Sequence, residues 1–252
     1  KSIGRHAFSG TISAHPRFKE IQIPDSVETI GTSAFHNCQD LESITLPASL
    51  KTIESSTFSD CRNLSEVKLP ASLKAIQSYV FGGCSDLKTV SYDGSLAQWS
   101  QITADNGFLG DSHPSLVTDD YTAQFIPVRD DAYPPPKTVT ITKYTGKEST
   151  VILPSTISIW PVTKIGEDAF QDNTTITSVT IPASVTEIGS NAFAGCTNLT
   201  RVNYEGDWSN LTIQSGNPAV QDAANEQLFY FAFTPDNTAV IVTNYKYNGA
   251  AA

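Results

Sequence analysis

The sequence predicts a mostly β solenoid with short helical turns, built as two short arrays, and three observations carry that prediction. A set of residues recurs every 23 positions: Phe35, Phe58 and Phe81; Cys38, Cys61 and Cys84; Leu41, Leu64 and Leu87; Pro24, Pro47 and Pro70. The pattern returns later, where Phe170 and Phe193 are again 23 apart, with Ile176 and Leu199 behind them and Pro154 and Pro182 ahead. Both stretches break on a shared phrase, Tyr92-Asp93-Gly94 before Trp99 and Tyr204-Glu205-Gly206 before Trp208.

Each element of one coil follows from its residues. Leu41-x-x-Ile44-x-Leu46 ends in an alternating pair, as a strand does. Pro47 stops it, because proline cannot donate to a ladder. Val27-x-x-Ile30 supplies a short second strand, and the Ile-Gly steps at Ile30-Gly31, Ile165-Gly166 and Ile188-Gly189 suit a tight bend. Ala34-Phe35-x-x-Cys38-x-x-Leu41 has helical apolar spacing and reads as a brief helical turn. A lone coil cannot bury its apolar side, so stability must come from stacking neighbours. A period of this length with Leu/Ile punctuation is the mark of a leucine-rich-repeat solenoid, and the crossover rule for parallel strands makes it right-handed.

The phrase LxxIxIPxSVxxIGxxAFxxCxxL runs nearly intact from Phe18 to Leu41 and from Ile176 to Leu199. In this it resembles the BspA-like (Treponema-type) leucine-rich repeat family. The resemblance implies a surface or secreted protein of a host-associated bacterium or parasitic protist. It also implies a role in adhesion to host or microbial ligands, and it brings no catalytic site.

The chain divides by this reading into four parts. Residues 1–105 form a first array capped by Trp99, and 106–146 an acidic, Pro-rich connector with an opening β-hairpin. Residues 147–215 form a second array capped by Trp208, and 216–252 a C-terminal hairpin that would start a further module. A large amphipathic Trp suits the end of a repeat stack, although stacking on a sugar is the alternative use of such a ring. Its stretch 106–136 holds Asp111, Asp119, Asp120, Asp130 and Asp131 against Arg129 alone. A calcium loop is the pointed reading and a solvated acidic turn the plain one; no D-x-[DN]-x-[DN]-G loop is present. Alternating Lys137–Thr142 and Thr238–Thr243, each preceded by a second strand (Tyr121–Ile126 and Leu228–Phe233), read as hairpins that open an array. Phe229, Phe231 and Phe233 would share one strand face, with Pro235-Asp236-Asn237 as the turn.

Composition removes several function classes. The 252 residues carry a net charge of −10, which argues against gripping a phosphate backbone. No apolar run is long enough to span a membrane. The chain opens on Lys1-Ser2-Ile3 with no start residue or signal sequence, and so reads as a piece of a longer protein. His6, His15, His36 and His113 share no motif, and no nucleophile elbow, zinc-protease helix or phosphate loop occurs. The chain is therefore read as non-catalytic, without cofactor or metal. Cys38, Cys61, Cys84 and Cys196 fill one repeat position, where free thiols are expected to be buried and reduced.

What remains is the outward side of the strands. The candidate ligand face is Glu20, Gln22, Ser43, Thr45, Glu66, Lys68, Thr89 and Ser91 in the first array, and Ser178, Thr180, Arg201 and Asn203 in the second. Two readings stand open. One is an extracellular or cell-surface adhesion module whose partner is a host or microbial surface protein or glycan. The other is a structural spacer or stalk presenting another domain. The fragment is expected to be monomeric, to bind no nucleic acid and to enter no membrane, with the C-terminal hairpin as the edge through which copies would associate.

Overall fold

The computed structural model of the chain describes residues 1–10, 18–105, 107–110, 112–127, 137–228, 231–233 and 239–241. Contacts separate the chain into two units: Lys1–Gly146 with Thr156–Val162, and Lys147–Ser155 with Thr163–Ala252.

The first unit holds β1 (Ser2–Ile3), β2 (Glu20–Gln22), β3 (Thr29–Ile30), β4 (Ser43–Thr45), β5 (Thr52–Ile53), β6 (Glu66–Leu69), β7 (Ala75–Ile76), β8 (Thr89–Tyr92), β9 (Thr103–Ala104), β10 (Ser115–Val117), β11 (Tyr121–Pro127) and β12 (Lys137–Tyr144). Each coil gives one strand to each of two parallel ladders, β1-β3-β5-β7-β9 and β2-β4-β6-β8-β10. The period of 23 becomes register: Ile21 pairs with Ile44, Ile44 with Val67, Val67 with Val90, and Val90 with Leu116. Ile44, Val67, Val90 and Leu116 are buried, and their neighbours in sequence point outward.

Between the two ladders runs the aromatic arm. Phe8, Phe35, Phe58 and Phe81 stack face to face with ring centroids 5.1, 5.4 and 5.8 Å apart. The helical spacing of this arm is met by turns rather than by a regular helix. Ala34 N–H bonds the Gly31 carbonyl and His36 N–H the Ser33 carbonyl. Ser33 and Asn37 then take φ of 58° and 60°, as Ser56 and Asp60 do one coil later. These left-handed residues turn the intervening amides toward the next coil, so Phe35 N–H bonds the Thr57 carbonyl and Asn37 N–H the Ser59 carbonyl. Gly31 needs no unusual φ. A Cβ there would come within 2.8 Å of the Arg5 backbone nitrogen. The Ile-Gly step thus serves close packing of coils rather than the bend expected of it.

The repeat continues past Trp99. A four-residue helix, α1 (Leu96–Trp99), is inserted between β8 and β9, opened by a reciprocal cap between Ser95 and Gln98. The coil then resumes: β9 pairs with β7, Phe81 N–H bonds the Phe108 carbonyl, and β10 joins β8 in parallel. The β11–β12 hairpin, expected to open the second array, groups with the first unit, because β11 pairs antiparallel with β10. Asp120 serves structure here, accepting from the Leu96 N–H (2.7 Å) and the Thr118 hydroxyl (2.9 Å). Asp111, Asp130 and Asp131 lie outside the described residues.

The chain next forms β13 (Thr150–Ile152), β14 (Thr156–Ile157) and β15 (Trp160–Ile165), the last beginning in the first unit and ending in the second. Trp160 packs on Phe108 and Phe125 at 5.5 and 5.1 Å, and Ser158 accepts from the Trp99 ring nitrogen at 3.1 Å. The stretch 156–162, read as part of the second array, therefore completes the core of the first.

The second unit adds β16 (Ser178–Ile181), β17 (Glu187–Ile188), β18 (Arg201–Tyr204), β19 (Thr212–Ile213), helix α2 (Pro218–Leu228), and an antiparallel pair of β20 (Phe231–Phe233) with β21 (Ala239–Ile241). Its ladders are β13-β16-β18 and β15-β17-β19, and Phe170 stacks on Phe193 at 4.8 Å. The C-terminal hairpin exists, but Leu228 ends a helix instead of starting its strand. Phe229 and the expected turn at Pro235-Asp236-Asn237 lie outside the described residues. No described helix is long and apolar enough to cross a membrane.

Candidate ligand-binding face

The predicted face residues form two rows, because side chains two apart on a strand share a side and successive coils are in register. In the first unit one row reads Glu20, Ser43, Glu66, Thr89 and the other Gln22, Thr45, Lys68, Ser91. In the second unit Ser178 lies beside Arg201 and Thr180 beside Asn203. All twelve are exposed or half-buried. Lys68 pairs with Asp93 at 3.2 Å and Lys19 with Glu42 at 2.7 Å, both at the surface, where such pairs contribute little. The hydrogen bond to Glu42 holds the Lys19 ammonium above its ordinary range.

The rows extend beyond what the period could reveal. Ser115 and Val117 continue them on β10, Thr122 and Gln124 on β11, and Thr140 and Lys143 on β12. In the second unit β13 adds Thr150 beside Ser178 and Ile152 beside Thr180, with Ile152 72% exposed. These were missed because β10 to β12 lie outside the 23-residue step. Their alternation, with Ala123, Phe125, Val139 and Ile141 buried, was the signal that could have found them.

The thiols form a ladder with a structural task. Cys38, Cys61, Cys84 and Cys196 donate to the carbonyls of Phe8, Phe35, Phe58 and Phe170, one coil back, at 3.0–3.2 Å. All four are free. The hydrogen bond with Cys38, and then burial, push Cys61 up, and the same bond lowers Cys38, while burial raises Cys84 to about 12. Cys38 is half-buried rather than buried, because it belongs to the coil facing Phe8, whose ring is 39% exposed. Asn173 stands in the thiol position of its coil. Its carboxamide oxygen instead accepts from the Thr175 and Ile176 N–H groups. Among the described residues no three His, Cys, Asp or Glu side chains gather as a metal site.

The two Trp segments differ. Trp99 is fully buried, so it offers no face to a sugar, whereas Trp208 is half-buried against Tyr204 at 5.3 Å. The second stack is closed by residues that periodicity could not show. Buried Asn217 accepts from the Phe193 N–H and donates to the Gly189 carbonyl, both at 2.9 Å. It replaces the backbone carbonyl of a further coil. Helix α2 then packs on β18, with Val220 and Ala224 buried.

The model of the BspA type leucine rich repeat region matches residues 1–104 and 140–216, in six copies. The chain belongs to this family. BspA-type repeats account for the two-ladder coil, its arm and its outward rows. Among solved structures, a leucine-rich repeat protein from Bacteroides capillosus is 32% identical over 36% of this chain and 64% of its own, with a TM-score of 0.30. A leucine rich cell surface protein from Faecalibacterium prausnitzii is 19% identical over 80% of this chain and 64% of its own, with a TM-score of 0.28. A T. pallidum leucine rich repeat protein is 19% identical over 91% of this chain and 88% of its own, with a TM-score of 0.26. The chain thus spans 64% of the length of each of the first two. Among curated proteins, none matches significantly.

Proposed function

We propose that this chain is a non-catalytic binding module displayed at the cell surface or outside the cell, and that the strand face is its contact surface. The observation that carries this is the register of the two outward rows, which sets polar side chains about 4.8 Å apart along each row. Such a platform binds weakly at each point and gains strength by repetition along a longer protein. Its partner is a surface protein or glycan of a host or another microbe. A second reading, a spacer, is favoured by one feature: no aromatic anchor of the kind that dominates tight interfaces stands among the described outward positions of the rows.

The test is a binding screen of the purified chain on immobilised matrix proteins and glycans, repeated with Thr45→Arg and Ser178→Arg on the face and Glu28→Ala beside the other ladder. Binding that falls at least tenfold with the face variants and holds with Glu28→Ala supports the module. Retention of no ligand, or loss unrelated to the face, contradicts it and leaves the spacer.

A further inference from the structure

The face of the first unit is not uniform in charge. Within the rows its β2 to β6 half carries Glu20, Glu66 and Lys68; Lys19, Glu42 and Lys88 stand alongside, outside the rows. From β8 to β12 the same two rows read Thr89, Ser115, Gln124, Thr140 and Ser91, Val117, Thr122, ending at Lys143. Seven successive outward positions bear no charge, and six of them are hydroxyls or an amide.

We propose that this neutral half is the part of the face that binds, and that its ligand is an uncharged polysaccharide lying along the rows. The inference rests on the binding role given above and specifies its partner. Size is the first argument. Four strands, β8, β10, β11 and β12, at about 4.8 Å spacing, with rows about 7 Å apart, make a strip about 14 Å long. That suits one extended chain far better than the roughly 800 Å² that a stable protein partner covers on each side. Chemistry is the second. A Ser or Thr hydroxyl is both donor and acceptor and can meet a sugar hydroxyl in either sense. Ser91 donates to the Val67 carbonyl at 3.3 Å and keeps its oxygen as an acceptor, and Gln124 adds both functions. Charge is the third. Lys88 and Lys143 stand only at the edges of this strip, and the chain's net charge of −10 opposes an anionic ligand. Without an aromatic platform, each contact is weak and the chain is held by their number.

Electrophoresis of the native protein through gels containing hydroxyethylcellulose, dextran or the anionic polygalacturonate tests this. Retardation by at least one neutral polymer and none by polygalacturonate is expected. Ser115→Glu and Thr140→Glu, each on an outward strand position, should weaken retention at least tenfold at an unchanged melting temperature. Glu20→Ala and Glu66→Ala should leave it intact. No retardation by either neutral polymer, stronger retardation by polygalacturonate, or loss confined to the Glu66 variant would overturn the proposal. If the chain then still bound an immobilised protein through Thr45 or Ser178, the binding module would stand and only its ligand class would fall.

Discussion

Tyr92-Asp93-Gly94 and Tyr204-Glu205-Gly206 begin alike and end differently. In both, the tyrosine ring folds over the glycine two residues on, where a Cβ would come within 2.8 Å of it. Its hydroxyl bonds a carbonyl in the coil before, that of Ala71 or Val185. Both tyrosines take a Trp edge-on, at 5.4 and 5.3 Å. The first segment has three more residues between its glycine and its Trp. Those residues build α1, whose Leu96 is buried beside Trp99. The second makes only the 3-10 turn Trp208–Asn210, with none of its residues buried. What lies beyond decides the burial. Past Trp99 the coil runs on into Phe108 and β10, while past Trp208 the stack is closed by Asn217 and α2. The same opening phrase therefore serves once as an internal joint and once beside an end.

The largest test of that contrast is truncation of each ring. Trp99→Ala should cost about 3–5 kcal/mol, as buried aromatic truncations do. Trp208→Ala should cost about 1 kcal/mol, near the centre for ordinary substitutions. Denaturant midpoints read both, and equal losses would erase the distinction. Next in size, Asn217→Ala leaves the Phe193 N–H without its acceptor and should cost about 1–3 kcal/mol. An unchanged midpoint would mean that α2 alone closes the stack.

The helix caps sharpen the comparison. Ser95→Ala should cost about 1 kcal/mol. Asp207 caps the other segment, and hydrogen bonds from the Ser209 N–H and hydroxyl hold its carboxyl below the usual value of 3.8. A depressed carboxyl contributes stability above its unfolded pKa and loses it as pH falls through the folded one. The Ser209 amide resonance should therefore titrate below pH 3.8, while that of Gln98, which donates to the Ser95 hydroxyl oxygen, should not follow a carboxylate. A Ser209 midpoint at or above 3.8 would remove the cap. Smallest in energy, a bulky thiol reagent on native protein should label Cys38 and spare Cys61, Cys84 and Cys196 until denaturation. Burial of Cys38, or early labelling of Cys84, would contradict the ladder.

Much of this was legible in the sequence, for a physical reason. A step of 23 places Ile44 beside Val67 and Phe35 on Phe58, so repetition in sequence is adjacency in space. The outward rows from Glu20 to Ser91 followed from the same step and from strand alternation. Legibility failed where that step is interrupted. The insertion of α1 moves Phe108 to 27 residues beyond Phe81, which hid one further coil. Asn217 acts once, in place of a backbone carbonyl, and a substitution for backbone leaves no period. The Asn217-Pro218 pair is nonetheless a helix-start signal that could have shown α2. Trp160 was hidden because its partners Phe108 and Phe125 lie far back in the sequence, although in the same unit, and contacts at long sequence separation have no local pattern.

Stacking between coils, rather than anything within one coil, holds the protein together. The most direct measurement compares two phenylalanines of one column, Phe58→Ala and Phe8→Ala, by denaturant unfolding. Phe58 is fully buried with a ring on either side, at 5.4 and 5.8 Å. Phe8 meets the column on one side only, stacking on Phe35 at 5.1 Å, and is 39% exposed. Phe58→Ala should cost about 3–5 kcal/mol and Phe8→Ala about 1 kcal/mol. Equal losses, or an unchanged midpoint for Phe58→Ala, would contradict it.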